Sequence, residues 1–246
     1  MTTLLGWWIQ RPDTRHRILQ KWLNAALIGW SDQGIIALRY GEDFESEQGS
    51  VLYMTRDRGM HELVELARSG ADETSVTFIP ALNTWIVDAT ARARDEVYYN
   101  ESYAIAAARA GWDVEFWHTH NIEEDEPCKD EAERRERELR YSIPSPRDYN
   151  SMCEFAATCS EGRFKGVVAG VLGALEFWAD EYPKPQSLPR RNGGFSPLSS
   201  RKRKRCPMQR ESDRLESVVG SVHPSDLESV VAEFRGIFRY KFTRVS

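Results

Sequence analysis

The sequence has few cysteines and no long apolar run, and each shortage excludes a class of protein. Four cysteines occur in 246 residues, and none forms a C-x-x-C pair. We therefore expect reduced thiols rather than a disulfide scaffold or a cysteine-ligated zinc finger. Apolar stretches such as Gly166 to Leu175 are too short to span a bilayer. No signal-peptide pattern precedes Arg11, so a soluble, intracellular protein with no membrane partner is predicted.

The charge distribution is uneven, although the net charge of −5 gives no overall attraction for nucleic acid. A basic run, Arg201 to Arg205, lies downstream of Arg190 and Arg191. Such a run is typical of a nuclear import signal or a nucleic-acid tether, and it is equally compatible with a solvated linker. A cytoplasmic or nuclear location is therefore predicted, with nucleic-acid binding restricted to this run.

Composition and hydrophobic periodicity divide the chain into four parts. Helices interleaved with short strands predict one α/β domain over residues 51–180. Residues 1–50 are predicted to form an N-terminal helical extension. Residues 183–222 contain proline, serine, glycine and arginine in the proportions of a flexible basic linker. Residues 223–246 show helical spacing and are predicted to be a C-terminal helical segment.

Within the predicted α/β domain, local patterns assign several elements. Runs of alternating or continuous apolar residues predict strands, and apolar residues three or four apart predict helices. The predicted order is a helix at 60–68, a hairpin of strands 76–79 and 85–87, a helix at 101–110, a strand at 114–120, a helix beginning at Pro146, and two strands within 164–178.

The strand at 114–120 contains the first candidate metal ligands. Its sequence ends Trp117-His118-Thr119-His120. Side chains two residues apart on a strand share a face, so His118 and His120 project the same way. Two imidazoles about 6–7 Å apart along a strand can converge on one ion. An isolated H-x-H pair is also compatible with two histidines that bind nothing.

A carboxylate that could complete the site follows in Pro144-Ser-Pro-Arg-Asp148. One interpretation is purely structural: Ser145 is the N-cap, Pro146 occupies the first helical position, and Asp148 closes a capping box. The same geometry fixes Asp148 rigidly in the first helical turn, where it can also be a ligand. Two imidazoles, one carboxylate and one water form the open tetrahedral site of hydrolytic zinc.

H-x-H followed by P-S-x-x-D resembles the signature of the JAMM metalloproteases, the zinc-dependent members of the MPN-domain superfamily. The resemblance extends over about half the chain, and Trp117-His-Thr-His120 is similar to the W-H-T-H of prokaryotic members. It implies a three-layer MPN/cytidine-deaminase-like domain with a mixed sheet. It also implies one zinc per chain on His118, His120 and Asp148, with Ser145 stabilising the oxyanion. The implied activity is an isopeptidase or peptidase acting after the C-terminus of a ubiquitin-like protein, whose conjugates are the implied partners.

The family also uses a glutamate, upstream of the histidines, as general base. Glu73 lies between a predicted helix and a predicted strand, in the order that the family shows. Glu47, followed by glycine at position 49, is closer to the letters of the family motif but is separated from the histidines by a further helix and hairpin. The resemblance therefore favours Glu73 over Glu47. The alternative function is a non-catalytic MPN-like module that binds proteins.

The residues between the histidines and Ser145 form a highly charged segment. Residues 122–143 include alternating glutamate and arginine up to Arg140. Such alternation predicts an exposed helix with ion pairs between successive turns. Its position between the two halves of the candidate site is equally compatible with a flap over the cleft.

Overall fold

The computed structural model gives a structure for most of the chain between residues 50 and 245. The predicted N-terminal extension up to residue 49, which includes Glu47, and the basic run Arg201 to Arg205 lie outside the described residues. The same holds for part of the predicted helix at 101–110. The residues described are 50–53, 55–70, 73–93, 104, 107–108, 111–120, 128–159, 163–185 and 206–245.

Strands and helices alternate along the described residues, as the α/β prediction requires. The strands are β1 (Ser50–Tyr53), β2 (Glu73–Ile79), β3 (Thr84–Ala93), β4 (Val114–Thr119), β5 (Phe164–Gly170), β6 (Gly173–Trp178) and β7 (Arg239–Arg244). The helices are α1 (Arg56–Arg68), α2 (Glu131–Arg140), α3 (Pro146–Thr158), α4 (Pro207–Val219) and α5 (Leu227–Glu233), with short 3₁₀ turns at Pro80–Leu82 and Pro224–Asp226.

The strands form one open mixed sheet in the order β1-β3-β2-β4-β5-β6-β7. Among the described strands, β4 and β5 pair in parallel and every other neighbouring pair is antiparallel. The predicted hairpin is confirmed, because β2 and β3 pair across a turn in which Asn83 adopts φ 50°. Asparagine tolerates this left-handed conformation better than most residues. The fold class, α/β with a mixed sheet, is therefore confirmed.

Both faces of the sheet are covered, which explains why β4 shows no alternation of apolar and polar residues. One face packs against α1 through a cluster that includes Leu63 and Trp117. The other packs against α3 and α4 through a cluster that includes Phe116 and Phe155, whose rings stack 4.1 Å apart. Successive residues of β4 thus enter different cores, and all six are buried.

The face covered by α1 also holds buried charge. Glu115 and Glu176 are 5% and 2% exposed, and the Arg56 guanidinium contacts both carboxylates, at 2.7 and 3.0 Å. Lys165 lies 3.0 Å from Glu176, and the indole nitrogen of Trp117 donates to Glu115 at 3.0 Å. These contacts compensate the desolvation of the two carboxylates.

The structure corrects the prediction of a flexible linker over residues 183–222. Residues 207–219 of that range form α4, whose apolar side chains Met208, Leu215 and Val219 are buried in the core shared with α3. Burial of these side chains compensates the entropy of ordering the helix.

The prediction of a helical segment over residues 223–246 is wrong for its last part. Helix α5 lies within this range, but Arg239–Arg244 is β7, which pairs with β6 at the edge of the sheet. Burial alternates along β7, where Tyr240 and Phe242 are buried and Arg239 and Lys241 are exposed. This two-residue period matches a strand rather than a helix.

No helix in the described part of the chain combines the length and the apolar character needed to cross a bilayer.

Candidate metal centre

The candidate site lies where the carboxyl ends of the parallel strands β4 and β5 meet the first turn of α3. The backbone N–H of His120 donates to the Ala169 carbonyl at 3.0 Å, so β4 remains fixed to β5 up to the second histidine. At the end of β5, Gly170 allows the chain before α3 to approach closely. A Cβ atom at residue 170 would lie 2.8 Å from the Cα of Ser142. This close approach holds the start of α3 against the ends of both strands.

The three predicted ligands converge. The Nε2 atoms of His118 and His120 are 2.9 Å apart. The Asp148 carboxylate approaches both rings, with Oδ1 3.3 Å from Nε2 of His118 and Oδ2 3.4 Å from Nε2 of His120. Among the described residues, His118, His120 and Asp148 form the group of ligand-type side chains whose donor atoms lie close enough together to hold one metal ion.

The donor set and its spacing fit zinc. Ligands at 2.0–2.1 Å from a tetrahedral ion lie about 3.3 Å from one another. The two carboxylate–imidazole distances match this spacing, and the imidazole pair is slightly closer. Two nitrogens and one carboxylate oxygen are the donor types of catalytic zinc sites, which leave the fourth position for water or substrate.

Asp148 also closes the capping box that the sequence predicted. Its Oδ2 accepts from the backbone N–H of Ser145 at 2.6 Å, and its own N–H donates to Ser145 Oγ at 3.4 Å. The structural and metal-binding interpretations are therefore compatible. The cap fixes the carboxylate in the first turn of α3, and in that position its oxygens face the two imidazoles.

The electrostatics of the site favour an ionised carboxylate. Burial alone would raise the pKa of Asp148, but the adjacent His118 and hydrogen bonds from both imidazoles hold this pKa well below its usual range. The side chains of His118, His120 and Asp148 are 3%, 13% and 17% exposed. The site is thus anchored in the core at His118 and only partly exposed at the other two residues.

Glu73 is the first residue of β2 and is partly buried. In the ladder between β2 and β4, Ser75 is the Cα partner of His118, and the N–H of Thr74 donates to Thr119 Oγ1 at 2.9 Å. Glu73 therefore lies at the end of β2 that adjoins His120. Between Thr74 and Val76 the pairing of β2 with β3 changes register, so the regular alternation that orients Ser75 does not extend to Glu73. The assignment of Glu73 as general base stays a prediction, and its rival Glu47 lies outside the described residues.

Sequence patterns missed two polar groups beside the site. Ser75 faces the same side of the sheet as His118, and Thr119 fixes the end of β2 through its hydroxyl. Alternation predicts which face each residue occupies, but the register between β2 and β4 has no signal in the sequence. The placement of Ser75 beside His118, and the contact of Thr119 with β2, therefore follow only from the structure.

The chain matches no protein-family model, no curated protein and no solved structure. The geometry of His118, His120 and Asp148, together with the sequence resemblance that these residues carry, is therefore the basis for a functional proposal.

Proposed function

We propose that the chain is a zinc-dependent isopeptidase or peptidase of the JAMM type, with an MPN/cytidine-deaminase-like three-layer domain. The observation that carries the proposal is the convergence of His118, His120 and Asp148 at the ends of two parallel strands. Packing of helices against both faces of the sheet supports the three-layer assignment. The order of helix α1, Glu73, histidine strand and capped helix α3 supports the family.

His118 and His120 would hold one zinc ion through Nε2, and Asp148 would hold it through a carboxylate oxygen. When bound, zinc supplies Lewis acidity, which polarises a carbonyl and brings the pKa of a water near neutrality. The protein's own contribution is rigidity: β4 is fixed to β5 up to the second histidine, and the cap fixes Asp148. Rigid ligands would reduce the reordering needed when the ion binds.

Glu73 and Ser145 would carry out the proton and hydrogen-bond chemistry. The Glu73 carboxylate accepts a proton from the attacking water as the oxygen bonds to the scissile carbonyl carbon. It then returns this proton to the amine as the C–N bond breaks. The Ser145 hydroxyl accepts the long bond from Asp148 N–H, and its own hydrogen can be donated to the developing oxyanion.

The substrate class follows from the resemblance of Trp117-His-Thr-His120 to prokaryotic family members. The proposed partner is a ubiquitin-like protein whose C-terminus is joined to an amine. An extended C-terminal tail would reach the partly exposed side of the site, where His120 and Asp148 lie.

A cleavage assay tests this proposal directly. Zinc-loaded protein would be incubated with ubiquitin-like proteins that carry a fluorogenic amide at the C-terminus, with and without a chelator. We expect release of the fluorophore from at least one substrate, and loss of that activity on chelation. Tight binding without cleavage by a protein that holds one zinc per chain would instead favour the non-catalytic module.

A further inference from the structure

Helix α4 buries two adjacent polar residues, Glu211 and Ser212, on the side that faces α3. Glu211 is 1% exposed and Ser212 is 7% exposed. Buried polar groups are costly unless they are hydrogen-bonded, and a buried carboxylate is the most costly of them. The partners of these two side chains therefore show what their burial achieves.

Glu211 ends a chain of hydrogen bonds that begins on α3. Its Oε1 accepts from the Tyr240 hydroxyl at 2.9 Å and from the Phe238 N–H at 3.2 Å. The Tyr240 oxygen is also 2.9 Å from the Tyr149 oxygen. Each hydroxyl has one hydrogen, so Tyr149 donates to Tyr240 while Tyr240 donates to Glu211. Burial raises the pKa of Tyr240, which keeps this hydroxyl protonated.

The loop before β7 is shaped to receive the Glu211 carboxylate. A Cβ atom at residue 236 would lie 1.9 Å from Glu211 Oε1, so the glycine found there allows the carboxylate to reach the loop backbone. Any larger residue at this position would separate Glu211 from the Phe238 N–H.

Ser212 contacts the other side of the same turn. Its hydroxyl donates to the Pro144 carbonyl at 3.3 Å. The two residues of α4 thus connect to Pro144 and, through Tyr240, to Tyr149. These are the residues immediately before and after the segment 145–148, which contains Ser145 and Asp148.

We propose that Glu211 and Ser212 are positioning residues of the metal site, an inference that rests on the function proposed above. They fix both flanks of the turn that carries Asp148. The carboxylate of Asp148 is the third proposed ligand, beside His118 and His120. Groups that orient a metal ligand without touching the metal affect affinity, because a misplaced ligand must be reordered on binding. The C-terminal residues are therefore part of the site although they lie far from it in sequence.

The test removes single hydroxyl groups and measures metal binding. Tyr240→Phe breaks the chain to Tyr149, and Ser212→Ala breaks the contact with Pro144. Tyr182→Phe is the matched control, because its hydroxyl donates to the Phe164 carbonyl while its ring packs 6.0 Å from Phe238 in the same core. Each protein would be titrated with Co²⁺, recording the visible absorption, and with Zn²⁺ against a competing chelator.

We expect Tyr240→Phe and Ser212→Ala to weaken metal binding by about threefold to tenfold, less than the loss for groups that touch a ligand directly. Their Co²⁺ spectra should also shift, whereas Tyr182→Phe should match the wild type in both measurements. If both site variants melt at lower temperature but keep wild-type affinity and spectra, the role of these residues is structural. The positioning inference is then wrong, while the proposed metal site stands. A wild type that binds neither ion would overturn the metal site, and this inference with it.

Discussion

Ser75 lies directly across the β2–β4 ladder from His118. Glu73 is two residues earlier on β2, beyond the point at which β2 changes its register with β3. The proposed base and two of the proposed ligands thus belong to neighbouring strands that are joined by backbone hydrogen bonds. Because they remain separate side chains, substitutions can distinguish loss of metal from loss of the base.

The first prediction concerns metal content. Purified wild-type protein should hold about one zinc per chain, because three side chains supply a tetrahedral site with one open position. His118→Ala and Asp148→Ala should each lose most of this zinc, since each leaves only two protein ligands. Elemental analysis after dialysis measures the stoichiometry.

His61→Ala is the control for this measurement, because His61 is exposed on α1 and is not among the grouped ligands. Its zinc content should equal that of the wild type. Equal zinc in all four proteins would show that the metal is not bound at the proposed site.

The second prediction distinguishes the proposed general base, Glu73, from the proposed metal ligands. Glu73→Gln should keep the fold and the zinc but lower the hydrolysis rate by about 100-fold to 10,000-fold, the usual loss when a general base is removed. Parallel measurements of zinc content, thermal melting and kcat would establish this pattern. An active Glu73→Gln protein together with an inactive Glu47→Gln protein would show that Glu47, rather than Glu73, is the general base.

The third prediction concerns the C-terminal residues. A chain truncated after Tyr182 should lose its cooperative thermal transition, because it lacks α4 and the strand that pairs with β6. Each large apolar side chain removed from the core contributes about 1.5–3 kcal/mol, and the total stability of a domain is about 5–15 kcal/mol. Several such side chains are removed at once, among them Leu215, Phe238 and Phe242. A truncated chain that melts like the full chain and retains zinc would contradict this prediction and show that the domain ends near residue 182.

The fourth prediction is a pH dependence that originates on the opposite face of the sheet. Burial alone would raise the pKa of Glu176, but Arg56 and Lys165 lower it below its ordinary 4.5. A depressed pKa stabilises the folded protein above the unfolded-state pKa, and this stabilisation is lost as the pH falls through the folded-state pKa. Glu176→Gln should therefore be less stable than the wild type by about 1–3 kcal/mol at pH 7. The difference should shrink below about pH 4.5.

Urea unfolding at several pH values, with Glu65→Gln as control, measures this dependence. Glu65 pairs with Arg68 on the surface, where its side chain is 61% exposed, so its removal should change stability by no more than about 0.5 kcal/mol. A Glu176→Gln deficit that stays constant from pH 7 down to pH 3 would contradict the proposed ion network.

The parts of the metal centre could be predicted from sequence because each is local. Strand alternation places His118 and His120 on one face, and the spacing of a capping box fixes Asp148 in the first turn of a helix. Their convergence has no local cause. It requires the parallel pairing of β4 with β5 and the close approach of Ser142 to Gly170, which are long-range contacts.

The C-terminal residues show why local patterns can mislead. Phe234, Phe238 and Phe242 are spaced by four, which matches a helical face, yet the last of them alternates with exposed neighbours on β7. In α4, which lies in a range predicted to be a linker, the buried face includes the polar residues Glu211 and Ser212. These polar residues are buried only because partners distant in sequence satisfy them.

The late position of β7 in the chain has a consequence for biosynthesis. About sixty residues separate the end of β6 from the start of β7, which corresponds to about 3–12 s at 5–20 residues per second. During that interval β6 presents an unpaired edge to the ribosome exit and to neighbouring nascent chains, and such edges promote aggregation. Slower translation between residues 178 and 239 should therefore lower the yield of folded protein, and chaperones that shield strand edges should restore it.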